Sequence, residues 1–84
     1  MALPKLYWDK IQGSSNIDRT TWVPSKNEAT QNGNMYIIFN NGWLYVFYDV
    51  PPFLYDNFKN SASKGQFFHA NIRGKYDYNR LAKL

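Results

Sequence analysis

The strongest pattern in the chain is a pair of neighbouring apolar segments, MYIIF at 35–39 and WLYVFY at 43–48. Both are rich in the β-branched and aromatic residues that strands prefer. The sequence between them, Asn40-Asn41-Gly42, is typical of a tight turn that needs positive φ. The pattern therefore predicts a β-hairpin over residues 35–48. Because both faces of the hairpin are largely apolar, either both are covered or one presents aromatic rings to solvent.

Two further elements are predicted on either side of the hairpin. Upstream, residues 17–23 (IDRTTWV) alternate well enough to form a strand that joins the hairpin sheet. The polar residues 24–34 between this strand and the hairpin predict a flexible loop. Downstream, a double proline is followed by Leu54 and Phe58 at helical spacing, which predicts an amphipathic helix over 51–62. Gly65 is predicted to be the C′ residue that ends this helix.

The C-terminal part of the chain predicts one more helix and completes the fold class. FFHANI at 67–72 predicts a short helix that breaks at Gly74, and residues 76–81 form either a short strand or a last helical turn. Strands followed by helices indicate an α+β fold. We expect a small antiparallel sheet of about three strands, with one or two C-terminal helices packed on one face.

The length of 84 residues allows one domain with one core. Three Trp, seven Tyr and six Phe supply the area that such a core needs, so Trp43, Tyr45, Phe47 and Phe39 are interpreted as core residues. The absence of Cys excludes a disulfide scaffold and a thiol nucleophile. We expect residues 13–84 to form the domain and residues 1–12 to be an N-terminal extension.

The N-terminal ten residues, MALPKLYWDK, contain no apolar run typical of a signal peptide. The longest strongly apolar stretch, 43–48, is too short to cross a bilayer. A soluble cytoplasmic protein with no membrane partner is expected.

A set of residues distributed over 14–80 matches one known pattern in order. These residues are Ser14, Ser15, Ile17, Gly42, Tyr45, Val46, Phe47, Val50, Pro51, Tyr55, Phe58, Ala62, Ser63, Lys64, Gly65, Phe67, Phe68, Ile72, Arg73 and Tyr76. The ordered string resembles the KTSC family, a short domain named for the C-terminus of some lysyl-tRNA synthetases and also found alone in bacterial and phage proteins. The resemblance implies a compact α+β module that binds RNA, here as a stand-alone and phage-encoded chain. The family's central Tyr-x-Tyr reads Tyr45-Val46-Phe47, so any role of the second hydroxyl is lost.

Charge is concentrated at the C-terminal end of the chain. Residues 1–58 carry four basic and five acidic residues, whereas residues 59–84 carry six basic residues and one acidic residue, a net charge of +5. Such a basic end favours a polyanion partner, and interleaved aromatic residues can stack on unpaired bases. The predicted nucleic-acid site comprises Lys59, Lys64, Arg73, Lys75, Arg80, Tyr76 and Tyr78, with Phe67 and Phe68 as further stacking candidates. Low sequence specificity is expected, because nothing resembles a base-reading code.

Other interpretations of these residues remain open at this point. The basic residues also fit an ordinary solvated face or an acidic protein partner. Arg73 either binds phosphate or holds an internal carboxylate such as Asp49 or Asp56.

The N-terminal segment suggests a different class of function. Tyr7 and Trp8, with Leu3, Leu6 and Ile11 nearby, are candidate anchors of a small phage-type protein that binds and inhibits a host protein. The alternative is that this segment adds an edge strand or packs Trp8 into the core. A homodimer formed through a sheet edge is a further option.

Catalysis is not expected. His69 is the single histidine, the serines lack a nucleophile motif, and the glycines form no phosphate-binding loop. Asp49 and Asp56 lie seven residues apart, which suits capping or salt bridges on one helical face better than acid–base work. We therefore expect a non-enzyme with no cofactor and no metal.

Overall fold

The computed structural model describes residues 7–84, which form an antiparallel meander with two helices inserted before its last strand. The strand order in the sheet is β1-β2-β3-β4-β5, so each strand pairs with its neighbour in sequence. The elements are β1 (Asp9–Lys10), β2 (Ile17–Pro24), β3 (Gly33–Phe39), β4 (Trp43–Val50), α1 (Pro52–Asn60), α2 (Lys64–Asn71) and β5 (Tyr78–Lys83).

The α+β class and the antiparallel sheet are confirmed, but the expected number of strands is wrong. The sheet has five strands instead of about three. The hairpin is β3–β4, and the strand predicted at 17–23 is β2, which pairs with β3. The two additional strands are β1, which pairs with β2, and β5, which pairs with β4 and decides between the two alternatives for the C-terminal segment.

The turn between β3 and β4 has the conformation that its sequence predicts. Gly42 has a φ of +92°, a backbone conformation that side chains disfavour. Its N–H donates to the Phe39 carbonyl at 2.9 Å, and its own carbonyl accepts the Leu84 N–H at 2.7 Å. The hairpin turn therefore also fixes the chain just beyond β5.

Both predicted helices form, but Gly65 does not end the first of them. Helix α1 ends at Asn60, and the following residue, Ser61, is extended and donates its N–H to the Phe58 carbonyl. The Ser63 side chain then accepts the Gln66 N–H and caps a new helix, in whose first turn Gly65 lies. The prediction of Gly65 at C′ is wrong because the Ser63 cap restarts the helix two residues before the glycine.

The two helices pack on one face of the sheet. Met35 and Ile37 point to this face and are fully buried together with Phe58 of α1 and Ile72 after α2. The opposite face also buries apolar side chains, namely Ile38, Leu44 and Val46. Neither helix in residues 7–84 combines the length and the apolar character that crossing a bilayer requires.

Candidate functional site

An open pocket lies on the helix-covered face, between α2 and the sheet around β4 and β5. Its volume is about 660 Å³. Five separate parts of the chain form its walls. The lining residues are Ser15, Asn16, Ile17, Phe39, Asn40, Asn41, Tyr45, Phe47, Gly65, Phe68, His69, Arg73, Gly74 and Tyr78. We call it the aromatic pocket, because Phe39, Tyr45, Phe47, Phe68 and Tyr78 make up its apolar surface.

The rings of the aromatic pocket are arranged in two orientations. Tyr45 and Phe47, two residues apart on β4, have nearly parallel rings with centroids 6.3 Å apart. Tyr78 lies across from them on β5, 5.8 Å from Tyr45 and 5.7 Å from Phe47. Phe39 and Phe68 meet this group edge to face. Edge-to-face contacts of this kind are favourable between rings, so they fix the walls of the pocket.

Exposure increases from the floor of the pocket to its mouth. Phe47 and Phe68 are buried, with 4% and 7% of their surface exposed. Phe39 and Tyr45 are half-buried, and Tyr78 is 56% exposed. The core interpretation of the hairpin aromatics therefore holds fully for Phe47, whereas the rings nearer the mouth combine packing with solvent contact.

One rim of the pocket carries a cation. Arg73 Nη1 lies 3.4 Å from Nδ1 of His69, one helical turn earlier. Arginine can only donate hydrogen bonds, so Nδ1 is the acceptor in this contact. The ion pairs within residues 7–84 involve Lys10, Arg19 and Lys59, so none of them supports the alternative that Arg73 holds an internal carboxylate. Arg73 contacts His69, whereas Asp49 accepts a hydrogen bond from Asn32.

The location of Asp49 and Asp56 also corrects the sequence interpretation. Asp49 lies in β4 and has a φ of 62°, where the pairing with β3 shifts register. Asp56 lies in α1. The two carboxylates therefore do not share a helical face.

The other rim of the pocket carries side-chain amides. Asn40 Nδ2 donates to the Ser14 carbonyl at 3.2 Å, and Asn41 Oδ1 accepts the Trp43 N–H at 3.1 Å. A side-chain amide has a nitrogen that donates and an oxygen that accepts, and each of these two contacts uses one of these atoms. Asn16 lines the same rim. The pocket thus combines apolar rings with amide groups and a guanidinium.

A cluster of one aromatic ring and two cations lies beside the pocket, at the N-terminal end of β4. The Arg80 guanidinium lies over the Trp43 ring at 4.1 Å from its centroid, and Lys83 Nζ lies at 5.8 Å. Both cations come from β5, where Lys83 is opposite Trp43 and Arg80 is opposite Tyr45. We call Trp43, Arg80 and Lys83 the Trp43 cluster.

The structure brings part of the predicted nucleic-acid site together. Arg73 and Tyr78 line the aromatic pocket, and Arg80 belongs to the adjoining Trp43 cluster. Lys75 is exposed and follows Gly74, which also lines the pocket. These four residues surround one open surface.

The other predicted residues have different surroundings. Lys59 lies 3.7 Å from Asp9 and stands over the Tyr55 ring, on the side of β1. Lys64 donates from Nζ to the Ser61 carbonyl at 2.6 Å, between the two helices. Tyr76 is half-buried and packs against the core. The further candidates Phe67 and Phe68 also pack inward, Phe67 against Phe58 and Phe68 at the pocket floor.

The candidate anchors of the N-terminal segment also differ in their surroundings. Tyr7 is 97% exposed, and its carbonyl accepts a hydrogen bond from Thr21 Oγ1 at 2.7 Å. The Trp8 ring is half-buried and meets Tyr36 edge to face. Ile11 is buried in the core, and β1 adds the edge strand to β2. Leu3 and Leu6 lie outside the described residues.

A polar network joins β1 to α1 away from the pocket. The Tyr55 hydroxyl donates to Asp9 Oδ2 at 2.6 Å and lies 3.0 Å from Thr20 Oγ1. Burial of Tyr55 and the nearby Asp9 carboxylate raise the pKa of the phenol well above its ordinary value of 10. Among residues 7–84 no group of three His, Cys, Asp or Glu side chains could hold a metal. The two contacts of the Tyr55 hydroxyl connect α1 to β1 and β2.

Sequence reasoning left open whether one face of the hairpin presents aromatic rings to solvent, and it did not place these rings at the site. Trp43, Tyr45 and Phe39 were interpreted as core, and the amides of Asn16, Asn40 and Asn41 were not considered. The available signal was the regular alternation of Trp43, Tyr45 and Phe47 along one strand, which places all three on one face.

Comparison with known proteins identifies the family. The model of the KTSC domain matches residues 13–76, and the chain belongs to the KTSC domain family. The lysine–tRNA ligase of Trichormus variabilis is 39% identical over 44 residues, and that of Nostoc punctiforme is 37% identical over 46 residues. These alignments cover 52% and 55% of this chain but only 8% of each ligase. The chain is also similar to the crystal structure of a KTSC domain protein from Yersinia pestis, with a TM-score of 0.77 and 26% identity over 90% of this chain and 97% of that one.

Proposed function

We propose that this KTSC domain is a non-catalytic module that binds single-stranded nucleic acid, with RNA preferred over DNA. The observation that carries the proposal is the aromatic pocket, which opens to solvent between Arg73 and the Trp43 cluster. Rings and cations at one open site are the combination that unpaired nucleotides need.

The rings contribute by stacking. Tyr45 and Tyr78 lie near the pocket mouth, are partly exposed, and have centroids 5.8 Å apart. A base stacked on an aromatic side chain contributes ~1–3 kcal/mol and does so with little sequence preference. The pocket of about 660 Å³ has room for a planar base between α2 and the sheet.

The cations contribute by neutralising phosphates. Arg73 lies on the rim, Lys75 is close to it in sequence, and Arg80 and Lys83 lie over Trp43. The ion pairs within residues 7–84 involve Lys10, Arg19 and Lys59 instead. Lys59 and Lys64 add to the overall positive field, but Lys59 pairs with Asp9, Lys64 donates to the Ser61 carbonyl, and neither lines the pocket.

Two observations support RNA as the preferred ligand. The curated relatives are named lysine–tRNA ligases, so their named substrate is an RNA. In this chain, the amides of Asn40 and Asn41 offer donors and acceptors at the rim of the pocket. A ribose 2′-hydroxyl is both a donor and an acceptor, and DNA lacks it.

The test is a titration of a fluorescently labelled oligouridine, the matching DNA and a duplex at several salt concentrations, read by anisotropy. Three phosphate contacts would give a slope of about −2 for log affinity against log salt, since each contributes about −0.7 on a single strand. Arg73→Gln should weaken binding and reduce the magnitude of this slope by about 0.7.

Lys26→Gln is the matched control, because it removes one positive charge from the loop between β2 and β3, outside the pocket. It should change affinity much less than Arg73→Gln does. Absence of binding at low salt, or equal effects of the two variants, would contradict the proposed function.

A protein partner is the second candidate function, as in a phage-type inhibitor of a host protein. It is supported by Tyr7, which is 97% exposed on a backbone that Thr21 holds in place. Exposed tyrosines are favoured at the centres of protein interfaces. In this case Tyr7→Ala should abolish partner binding with little dependence on salt, and Arg73→Gln should leave it unchanged.

A further inference from the structure

We infer that Trp43 is a second base-stacking subsite, so that a bound strand places one base in the aromatic pocket and the neighbouring base on Trp43. The inference rests on the proposed function and specifies the ligand as at least a dinucleotide. It assigns a binding role to a residue outside the lining of the pocket.

Strand geometry places Trp43 next to the pocket and on the same face. Trp43 and Tyr45 are two residues apart on β4, and residues at this spacing point to the same side of a sheet, ~6.8 Å apart. The pairing with β5 shifts register between Leu44 and Tyr45, so that Lys83 is opposite Trp43 and Arg80 is opposite Tyr45. This irregularity brings both cations to the Trp43 ring, although Arg80 and Lys83 are three residues apart on β5.

The position of Arg80 between the two subsites suits the phosphate that links two nucleotides. Its backbone is opposite Tyr45, whereas its guanidinium lies 4.1 Å from the centroid of Trp43. A guanidinium can stack on a ring and still present its N–H groups to a phosphate. Lys83 adds a second charge, 5.8 Å from the ring centroid.

The spacing of the subsites also selects against a duplex. Two side chains ~6.8 Å apart on a strand are about twice as far apart as stacked bases, which rise ~3.4 Å per nucleotide. Two bases that occupy both subsites must therefore unstack from each other. A single strand can do this, whereas paired and stacked bases cannot without losing their own contacts.

The test compares uridine monophosphate with the dinucleotide UpU, by calorimetry and by intrinsic tryptophan fluorescence. In the wild-type protein UpU should bind about 5- to 150-fold more tightly than the monophosphate, which is the gain from one additional stacked base. Trp43→Leu should abolish this gain and lower the affinity for the monophosphate far less than it lowers the affinity for UpU. Trp43→Phe, which keeps a ring, should retain part of the gain.

Two controls separate binding from folding. Trp8→Leu removes a tryptophan that contacts Tyr36 outside the pocket, and it should preserve the gain of UpU over the monophosphate. Thermal unfolding of each variant verifies that the fold is intact. Tyr45→Leu should weaken both ligands, since it removes a wall of the first subsite.

The outcomes distinguish the two proposals. If Trp43→Leu retains the full gain of UpU, the second subsite is overturned while the proposed function stands. If neither ligand nor a longer oligouridine binds the wild-type protein at low salt, both are overturned.

Discussion

The helix-covered face of the sheet has two halves that are closed to very different degrees. In the sealed half, Met35 and Ile37 lie beneath Phe58 and Ile72, and all four are fully buried. In the open half, Tyr45 and Trp43 are only half-buried. The sealed half relies mainly on aliphatic side chains, whereas the open half is almost entirely aromatic, with cations at its margin.

The difference follows from the size of the elements. A strand of eight residues such as β4 is ~26 Å long. A helix of nine residues such as α1 is only ~13 Å long. Two short helices therefore cannot cover one whole face of a five-stranded sheet. The uncovered part carries residues that pack with one side and present a ring face or a polar group with the other.

The largest expected effect is on stability, from Phe58→Ala in the sealed half. Phe58 is fully buried, and truncating such a ring costs ~3–5 kcal/mol through lost burial and the remaining cavity. Urea unfolding measures the change. Because a small domain has only ~5–15 kcal/mol of stability, Phe58→Leu provides a milder variant that should still fold. A loss below ~1 kcal/mol for Phe58→Ala would show that the sealed half is not the main source of stability.

The next largest effect is expected from Tyr55→Phe, which removes a hydroxyl at the edge of the sealed half. Thr20 is fully buried and would lose its hydrogen-bond partner, and Asp9 would lose a donor. The expected cost is ~1–3 kcal/mol, again measured by urea unfolding. Thr20→Val with Tyr55→Phe should cost less than the sum of the two single changes, because it leaves no buried hydroxyl unsatisfied.

The same hydroxyl makes stability depend on pH at the alkaline end. Burial and the Asp9 carboxylate raise the pKa of Tyr55 in the folded protein above its ordinary value of 10. Above pH 10 the unfolded chain therefore loses this proton before the folded protein does. The contribution is complete below pH 10 and declines as the pH rises further. Between pH 10 and about 11, the free energy of unfolding of Tyr55→Phe should decline less steeply than that of the wild type. An identical decline would contradict this cause.

In the open half, a backbone constraint is expected to matter more than a single ring. Gly42→Ala should cost ~1–2 kcal/mol for the left-handed conformation, and its Cβ would also lie 2.8 Å from the Leu84 carbonyl oxygen. Gly74→Ala is the matched control, since Gly74 has a φ of +76° but no atom within 4 Å of the added Cβ. If both changes cost the same, the contact with Leu84 contributes nothing.

The smallest effect on stability is expected from Tyr78→Ala. This residue is 56% exposed, and its cross-strand contacts with Phe47 and Tyr45 are worth ~0.2–1 kcal/mol. If the open half is a binding surface, the same change should weaken oligouridine binding far more than it weakens the fold. A loss of stability as large as that of Phe58→Ala would mean that the two halves do not differ in role.

The sequence was sufficient to predict the elements whose own residues specify them. The hairpin has alternating apolar residues and a turn that needs Gly42, and the helices have spacing and proline signals that act locally. Strands β1 and β5 were each only one of two alternatives at the level of the sequence. The first has only two residues, and the second, YNRLAK, has no clear alternation and is defined by its pairing with β4.

The candidate site was only partly predictable for a related reason. Charge identified Arg73 and Arg80 because a surplus of basic residues can be counted along the chain. The aromatic pocket could not be recognised by counting residues along the chain, because its walls come from segments that meet only after folding. Counting charges also included Lys59 and Lys64 in the predicted site. In the structure Lys59 contacts Asp9 and Lys64 contacts the Ser61 carbonyl instead.

The order of the strands has a consequence for the speed of assembly. Strands β2, β3 and β4 are linked by short connections, so their pairing closes small loops and can proceed early. Strand β5 pairs with β4 only after both helices have intervened, which makes this the slowest closure in the meander. We therefore expect β5 to dock last. Until it docks, Tyr78, Arg80 and Lys83 are not in place, and the proposed binding surface is completed only in the final step of folding.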